Sequence, residues 1–183
     1  MSLRIVAGRH RGRKLVTPEG IAIRPTAERA REALFSILDH GQPPLVGSRF
    51  LDLFAGSGAI GLEAISRGAE SALLVDQAAA AAEAISANIR ALGEERRATF
   101  LRADACRLGA APRTFTIAFL DPPYGSGLHA PALARLVVGG WLAPEARIVV
   151  ELAAREPFAT PPGFTVHDER RYGAARFVFL EYA

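Results

Sequence analysis

A single cysteine, Cys106, is all the thiol in this 183-residue chain. It can close no internal disulfide and has no spaced partners for a zinc site. Four histidines (His10, His40, His129, His167) show no ligand spacing, so no metal is expected. No run of 18 apolar residues occurs, which excludes a membrane-spanning helix. Residues 1–14, MSLRIVAGRHRGRK, lack the apolar core of a secretory signal. No exposed apolar stripe suggests self-association. These absences leave a cytoplasmic, monomeric globular protein as the expectation, with length for one domain and a small appendage.

What is present is unevenly placed. Residues 1–35 hold eight Arg/Lys against three acids, a net +5, while the other 148 residues carry a net −2. A basic arm on a near-neutral body suits an acidic partner, nucleic acid first, although a solvated charged face would look the same. Within the arm, Leu3–Val6 and Lys14–Val16 read as a small hairpin turned at Gly8 and Gly12. A helix follows Arg24-Pro25, capped by Thr26, with Ala30, Ala33, Leu34, Ile37 and Leu38 as its apolar stripe. Gln42-Pro43-Pro44 marks the boundary, giving an extension over residues 1–44 and a body over 45–183.

From Val46 onward, apolar strands alternate with helices. Strands are expected at Arg49–Leu53, Ser71–Asp76, Thr99–Arg102, Thr116–Asp121 and Arg147–Leu152, with helices at Ile60–Arg67, Ala79–Leu92 and Ala130–Val138. Strands apolar on both faces belong to a parallel sheet covered by helices. Phe164–His167 and Arg176–Tyr182, joined through Tyr172-Gly173, read as a closing antiparallel hairpin. The fold class is therefore α/β, a Rossmann-like class I methyltransferase sheet of parallel strands ending in an antiparallel hairpin, with a small N-terminal hairpin and helix. Ligands in such sheets sit at the carboxyl ends of the strands.

Asp52-Leu53-Phe54-Ala55-Gly56-Ser57-Gly58 follows the first strand and opens a helix. Its glycines let a ligand approach the backbone. Residues 56–61 also match the dinucleotide pattern G-x-G-x-x-G, so the motif alone does not choose its ligand. Asp52 favours S-adenosylmethionine, because an acid there suits an ammonium and a sulfonium but repels pyrophosphate. Phe54-Ala55 also lengthens the turn beyond the dinucleotide form. Asp76 ends the next strand, where it can accept from ribose hydroxyls. Asp104-Ala105 follows the third and suits the adenine edge.

Asp121-Pro122-Pro123-Tyr124 is the most diagnostic tetrapeptide. An amino group on a nucleobase is a poor nucleophile, because its lone pair is delocalised into the ring. A carboxylate and a fixed carbonyl that both accept its N–H bonds hold the nitrogen nearer tetrahedral and aim the lone pair at a methyl donor. Asp121 and the Pro122 carbonyl can be those acceptors, and the prolines fix the loop in advance. Tyr124 can stack on the base through its ring face, worth about 1–3 kcal/mol. Trp141 reads as core or helix-end packing, with an RNA-facing role left open, Cys106 as a small filler, and Glu151 ends a strand without assigned chemistry.

At these residues the chain resembles the RsmD-type methyltransferases. The resemblance runs through RIVAGRHRGRKL (Arg4–Leu15), RPTAERAREALFSIL (Arg24–Leu38), DLFAGSGAIGLEA (Asp52–Ala64), FLDPPY (Phe119–Tyr124), GWLAPEA (Gly140–Ala146) and the terminal YGAARFVFLEY. It implies transfer from S-adenosylmethionine to the exocyclic N2 of a guanine in small-subunit (16S) ribosomal RNA, free or within a subunit or its precursor. Carried over by position, Asp52 through Gly58 and Asp76 hold the cofactor. Asp121 through Tyr124 hold the flipped guanine. Arg9, His10, Arg11, Arg13 and Lys14, with Arg24, Thr26 and Arg29, hold RNA. Ala7 and Gln77-Ala78 depart from the family pattern, the latter losing a second acid near the ribose.

Other readings differ in what they explain. Amino methyltransferases of DNA adenine, DNA cytosine or a protein glutamine amide share this type of tetrapeptide. The DNA enzymes usually need a larger recognition segment than the 25 residues between Tyr124 and Val150. A nicotinamide oxidoreductase leaves Asp121–Tyr124 unexplained. A non-catalytic RNA-binding factor leaves both intact loops unexplained.

Overall fold

The computed structural model describes residues 2–19 and 25–183, and only the backbone of residues 25–27. Arg24 lies outside the described residues, as does the side chain of Thr26. The elements run α1 (Pro25–Asp39), β1 (Arg49–Leu53), α2 (Ala59–Ser66), β2 (Ser71–Asp76), α3 (Ala79–Leu92), β3 (Ala98–Arg102), a 3-10 turn at Ala105–Arg107, β4 (Phe115–Leu120), α4 (His129–Val138), β5 (Leu142–Ala153), β6 (Phe164–Tyr172) and β7 (Ala175–Tyr182).

The seven strands form one sheet in the order β3-β2-β1-β4-β5-β7-β6. β1 to β5 pair in parallel, and β7 enters antiparallel between β5 and β6. The expected α/β architecture is present, including the closing hairpin. β5 starts earlier than the apolar run suggests. Leu142 pairs with Phe115, and an irregularity then brings Arg147 opposite Ile117. Glu145, at φ 59°, sits in that irregular stretch, where the extra residues bulge out of the ladder. Among the described residues, no helix is long and apolar enough to cross a membrane.

Successive side chains on a strand point to opposite faces, so the sheet has two cores. On one face Leu51, Leu53, Leu120 and Val150 meet α4 and Trp141. Trp141 is core as expected, stacked on Phe115 with ring centroids 5.9 Å apart, its indole N–H donating to the Gly109 carbonyl. On the other face, Phe50, Phe119 and Phe177 meet α1, α2 and α3.

The basic arm is built into this second core. Ile5 and Leu15 from the arm, and Leu34, Phe35 and Leu38 from α1, are buried in the same cluster as Phe50 and Leu62. Between them sits a fully buried carboxylate, Glu63. It accepts from the Val6 and Ala7 amides at 2.8 and 2.9 Å and from Arg67 Nε at 2.8 Å. Asn88 clasps the Val16 backbone from both sides, accepting from its N–H and donating to its carbonyl. A buried charge is tolerable only when paired and hydrogen-bonded in this way. The expected boundary at 44/45 therefore runs through a shared core.

The consequence is a test of the arm. A chain starting at Leu45 loses the large buried side chains of Ile5, Leu15, Leu34, Phe35 and Leu38, each worth about 2–5 kcal/mol, and strips Glu63 of two donors. A domain of this kind has only about 5–15 kcal/mol in total. The truncated chain is expected not to fold, as measured by circular dichroism and urea titration. A cooperative unfolding transition for that fragment would show that the arm is dispensable.

Candidate active site

The two loops singled out by their residues meet because β1 and β4 are neighbours, paired from Phe50↔Ile117 to Leu53↔Leu120. The Asp121 amide donates to the Leu53 carbonyl at 3.3 Å. From β1 the chain winds toward β2 and β3, and from β4 toward β5 on the opposite side. Connections that diverge in this way leave a crevice at the carboxyl ends of the strands. Here it is a cleft of about 600 Å³, a size that suits a cofactor and a reacting group together.

One end of the cleft is the glycine loop. Phe54, Ala55, Gly56 and Ser57 line it, and Asp76, Asp104 and Ala105 stand beside them. Gly56 has φ +56°, and a Cβ there would meet no protein atom within 4 Å. Packing does not require its bareness; the loop stays approachable from the open side. Gly58 is glycine for another reason, since a Cβ would lie 2.7 Å from Leu74 Cδ2. Phe54 holds φ 60° without being glycine, a strained conformation that its surroundings must enforce. Asp76 ties the loop down, accepting from the Gly56 amide and the Ala78 amide at 2.9 Å each. Asp104 accepts from the Cys106 amide at 2.9 Å.

Asp52 and Gly58 do not line the cleft. Asp52 is buried behind the loop, and its Oδ2 accepts from the Gly61 amide at 2.9 Å. It thereby seats the first turn of α2 on the sheet. Burial is the main cause that pushes its carboxyl up to about 7; the Gly61 bond opposes this and the charge of Asp76 adds to it.

The other end of the cleft is Asp121, Pro122, Pro123 and Tyr124. The Asp121 side chain reaches the solvent of the cleft, yet the walls crowd it. That loss of hydration is the first reason its carboxyl lies well above the ordinary value, followed by the charges of Glu151 and Asp52. Glu151 is likewise raised by crowding, partly relieved by the Tyr124 hydroxyl, which donates to its Oε1 at 2.9 Å. The Tyr124 hydroxyl thus has a task beyond the ring face expected from sequence.

Residues not foreseen complete the walls. Leu3, Thr17, Ala30 and Arg31 come from the arm and α1, while Tyr172 and Phe177 come from the terminal hairpin. Only Glu151 carried a local signal, a charge ending an apolar strand. The others reach the cleft through folding of distant segments.

The arm's cations divide. Arg9, Arg11, Arg13 and Lys14 are exposed. Arg13 donates to the Ala91 carbonyl, and Arg9 lies 3.6 Å from Glu94. Arg29 is exposed on α1, beside Glu32 and Asp39. His10 is a correction: it is buried, its Nε2 is 2.5 Å from Glu94 Oε1, and its amide donates to Ser66 Oγ. It is therefore closed to phosphate. Burial raises the Glu94 carboxyl, but Arg97, His10 and Arg9 together outweigh burial and hold it below its ordinary value.

Comparison with known proteins agrees with this geometry. A family model described as conserved hypothetical protein 95 matches residues 3–181. Ribosomal RNA small subunit methyltransferase D of Escherichia coli (strain K12) is 37% identical over 177 residues, covering 96% of this chain and 87% of that protein. The chain belongs to this family. It is the RsmD-type methyltransferase family that the motifs resemble. The Haemophilus influenzae protein of the same name is 33% identical, covering 96% of this chain and 91% of its own. The solved structure of Escherichia coli yhhF superposes with a TM-score of 0.85 at 36% identity, covering 100% of this chain and 98% of that one. Magnesium protoporphyrin IX methyltransferase from Synechocystis PCC 6803 shares the fold alone, with a TM-score of 0.67 at 14% identity over 90% of this chain and 87% of that one.

The buried acid of this RsmD-type site makes a pH prediction. Unfolded, Asp52 releases its proton near 3.8; folded, it keeps it to about 7. The folded state binds more protons in between. The stability this contributes is complete below pH 3.8 and is lost as pH rises through about 7. The loss is at most roughly 4 kcal/mol, at about 1.36 kcal/mol per pH unit. Asp52→Asn keeps an acceptor for the Gly61 amide and is expected to remove that loss in the ligand-free protein. Urea unfolding at pH 5 and pH 8 checks it, and an identical pH-dependent loss in both proteins would exonerate Asp52.

Proposed function

We propose that this methyltransferase moves a methyl group from S-adenosylmethionine to the exocyclic N2 of a guanine in small-subunit ribosomal RNA. The observation that carries the reading is the junction of the two loops: the glycine loop and Asp121–Tyr124 line one cleft. The names of the Escherichia coli and Haemophilus influenzae relatives support the RNA.

The donor set fits the cofactor. Asp76 retains lone pairs toward the cleft for ribose hydroxyls, the bare backbone at Gly56 admits a close ligand, and the negative charge of neighbouring acids suits a cation. S-adenosylmethionine, when bound, supplies a methyl group already activated on a sulfonium. What remains for the protein is positioning. Asp121 and the Pro122 carbonyl accept the two N–H bonds of the amino group and turn its lone pair toward the methyl. Tyr124, 45% exposed, offers its ring to the base. After transfer the nitrogen must shed a proton, and Asp121, with its raised proton affinity, can receive it on its carboxylate.

Nucleoside mass spectrometry of small-subunit ribosomal RNA from cells with and without the protein tests the reading. A methylated guanine lost with the protein is expected to return when the wild-type chain is restored but not with Asp121→Ala. Purified Asp121→Ala should still bind S-adenosylmethionine, because its loss falls on the chemical step. Near wild-type transfer by that variant would refute the role.

RNA contact is assigned to the exposed arm. Flipping a guanine out of its stack costs a few kcal/mol, which phosphate contacts offset while setting the register. Arg11 and Lys14 are exposed and have no side-chain partner among the described residues. Changing both to Ala should weaken RNA binding and flatten its salt dependence by about one to two log–log units, at roughly 0.7–0.9 per phosphate. Cofactor affinity should not change. An unchanged slope would reduce the arm to a solvated face.

A further inference from the structure

We propose that Glu151 determines which base the site accepts, by reading the ring N–H that lies next to the methylated amino group. The inference rests on the amino-methylating reading of the Asp121 loop. Leu120, the last residue of β4, pairs with Val150 on β5, so Asp121, the first residue past β4, and Glu151, still on β5, stand side by side at the cleft. Both line it. In a parallel pair, neighbouring residues in register point to the same side, and the charge of Glu151 is felt at Asp121. Glu151 is held in place by the Tyr124 hydroxyl on Oε1 at 2.9 Å. Its Oε2 has no hydrogen bond among the described residues.

Two adjacent carboxylates repel each other unless donors come between them. They form an acceptor pair, and a flipped base is read along its Watson–Crick edge. Guanine presents two donors there in succession, the N2 amino group and N1–H. Adenine and cytosine also carry an amino group, but the ring nitrogen beside it bears a lone pair, which a carboxylate rejects. Asp121 on the amino group and Glu151 on N1–H therefore match guanine and exclude the other two amino bases. Donors and acceptors built for one edge discriminate strongly, because the wrong base leaves buried polar groups unpaired. Asp121 alone would not distinguish them, since all three bases offer it an amino group.

The test uses a small-subunit ribosomal RNA fragment carrying either guanine or 2-aminopurine at the position found by mass spectrometry. 2-Aminopurine keeps the N2 amino group but has a lone pair at N1. Wild-type protein is expected to favour guanine by at least about a hundredfold in kcat/KM. Glu151→Gln keeps the shape of the side chain and adds an N–H that can face a lone pair. It should bring the ratio within about tenfold, mostly by slowing guanine, while S-adenosylmethionine binding is still detected by calorimetry. A purely structural Glu151 would slow both RNAs alike and leave the ratio where it was, which would overturn the proposal. Should the variant not fold, wild-type protein decides: equal methylation of guanine and 2-aminopurine rejects the edge reading. Wild-type failure on guanine itself would instead remove the underlying reading of the reaction, and this proposal with it.

Discussion

The side-by-side pairing of β1 and β4 is the constraint from which the rest follows. Their registers bring Leu53 level with Leu120, so the glycine loop and the Asp121 loop begin at the same height. Because the chain leaves β1 and β4 toward opposite ends of the sheet, neither loop can cover the other. The cleft is thus a result of strand order, and the loops supply its chemistry. Gly58 and Gly61 then fix how near α2 sits, since a Cβ on either would press on Leu74.

The same strand ends gather negative charge. Asp52, Asp76, Asp121 and Glu151 come from four neighbouring strands and influence one another. Without a ligand this arrangement works against the fold, as the raised carboxyls of Asp52, Asp121 and Glu151 express. A cation or a set of donors entering the cleft relieves it. Binding free energy and active-site strain are then two views of one electrostatic arrangement.

The arm carries the opposite charge outside and is tied down inside. Glu63, Asn88 and Glu94 are buried acceptors committed to it: to the Val6 and Ala7 amides, the Val16 amide and His10. Its apolar residues Ile5 and Leu15 share the core of α1 and α2. The cations are therefore presented on a turn held at the C-terminal ends of α2 and α3, while Leu3 and Thr17, at the two ends of the arm, help to wall the cleft.

Much of this was legible in the residues. Apolar runs ending in Asp52, Asp76 and Asp121 implied the parallel sheet, because only strands covered on both faces read that way. The glycine loop and Asp121-Pro122-Pro123-Tyr124 declared themselves because their chemistry lies in contiguous residues. What the sequence could not declare depends on contacts between distant segments. His10 looked like another phosphate ligand among arginines until folding placed Glu94 against it, 84 positions away. The arm looked separable because Gln42-Pro43-Pro44 is a local signal, whereas burial of Ile5 against α2 is not. Glu151 gained meaning only when β5 paired with β4 and set it beside Asp121, since strand pairing joins residues that no local pattern connects.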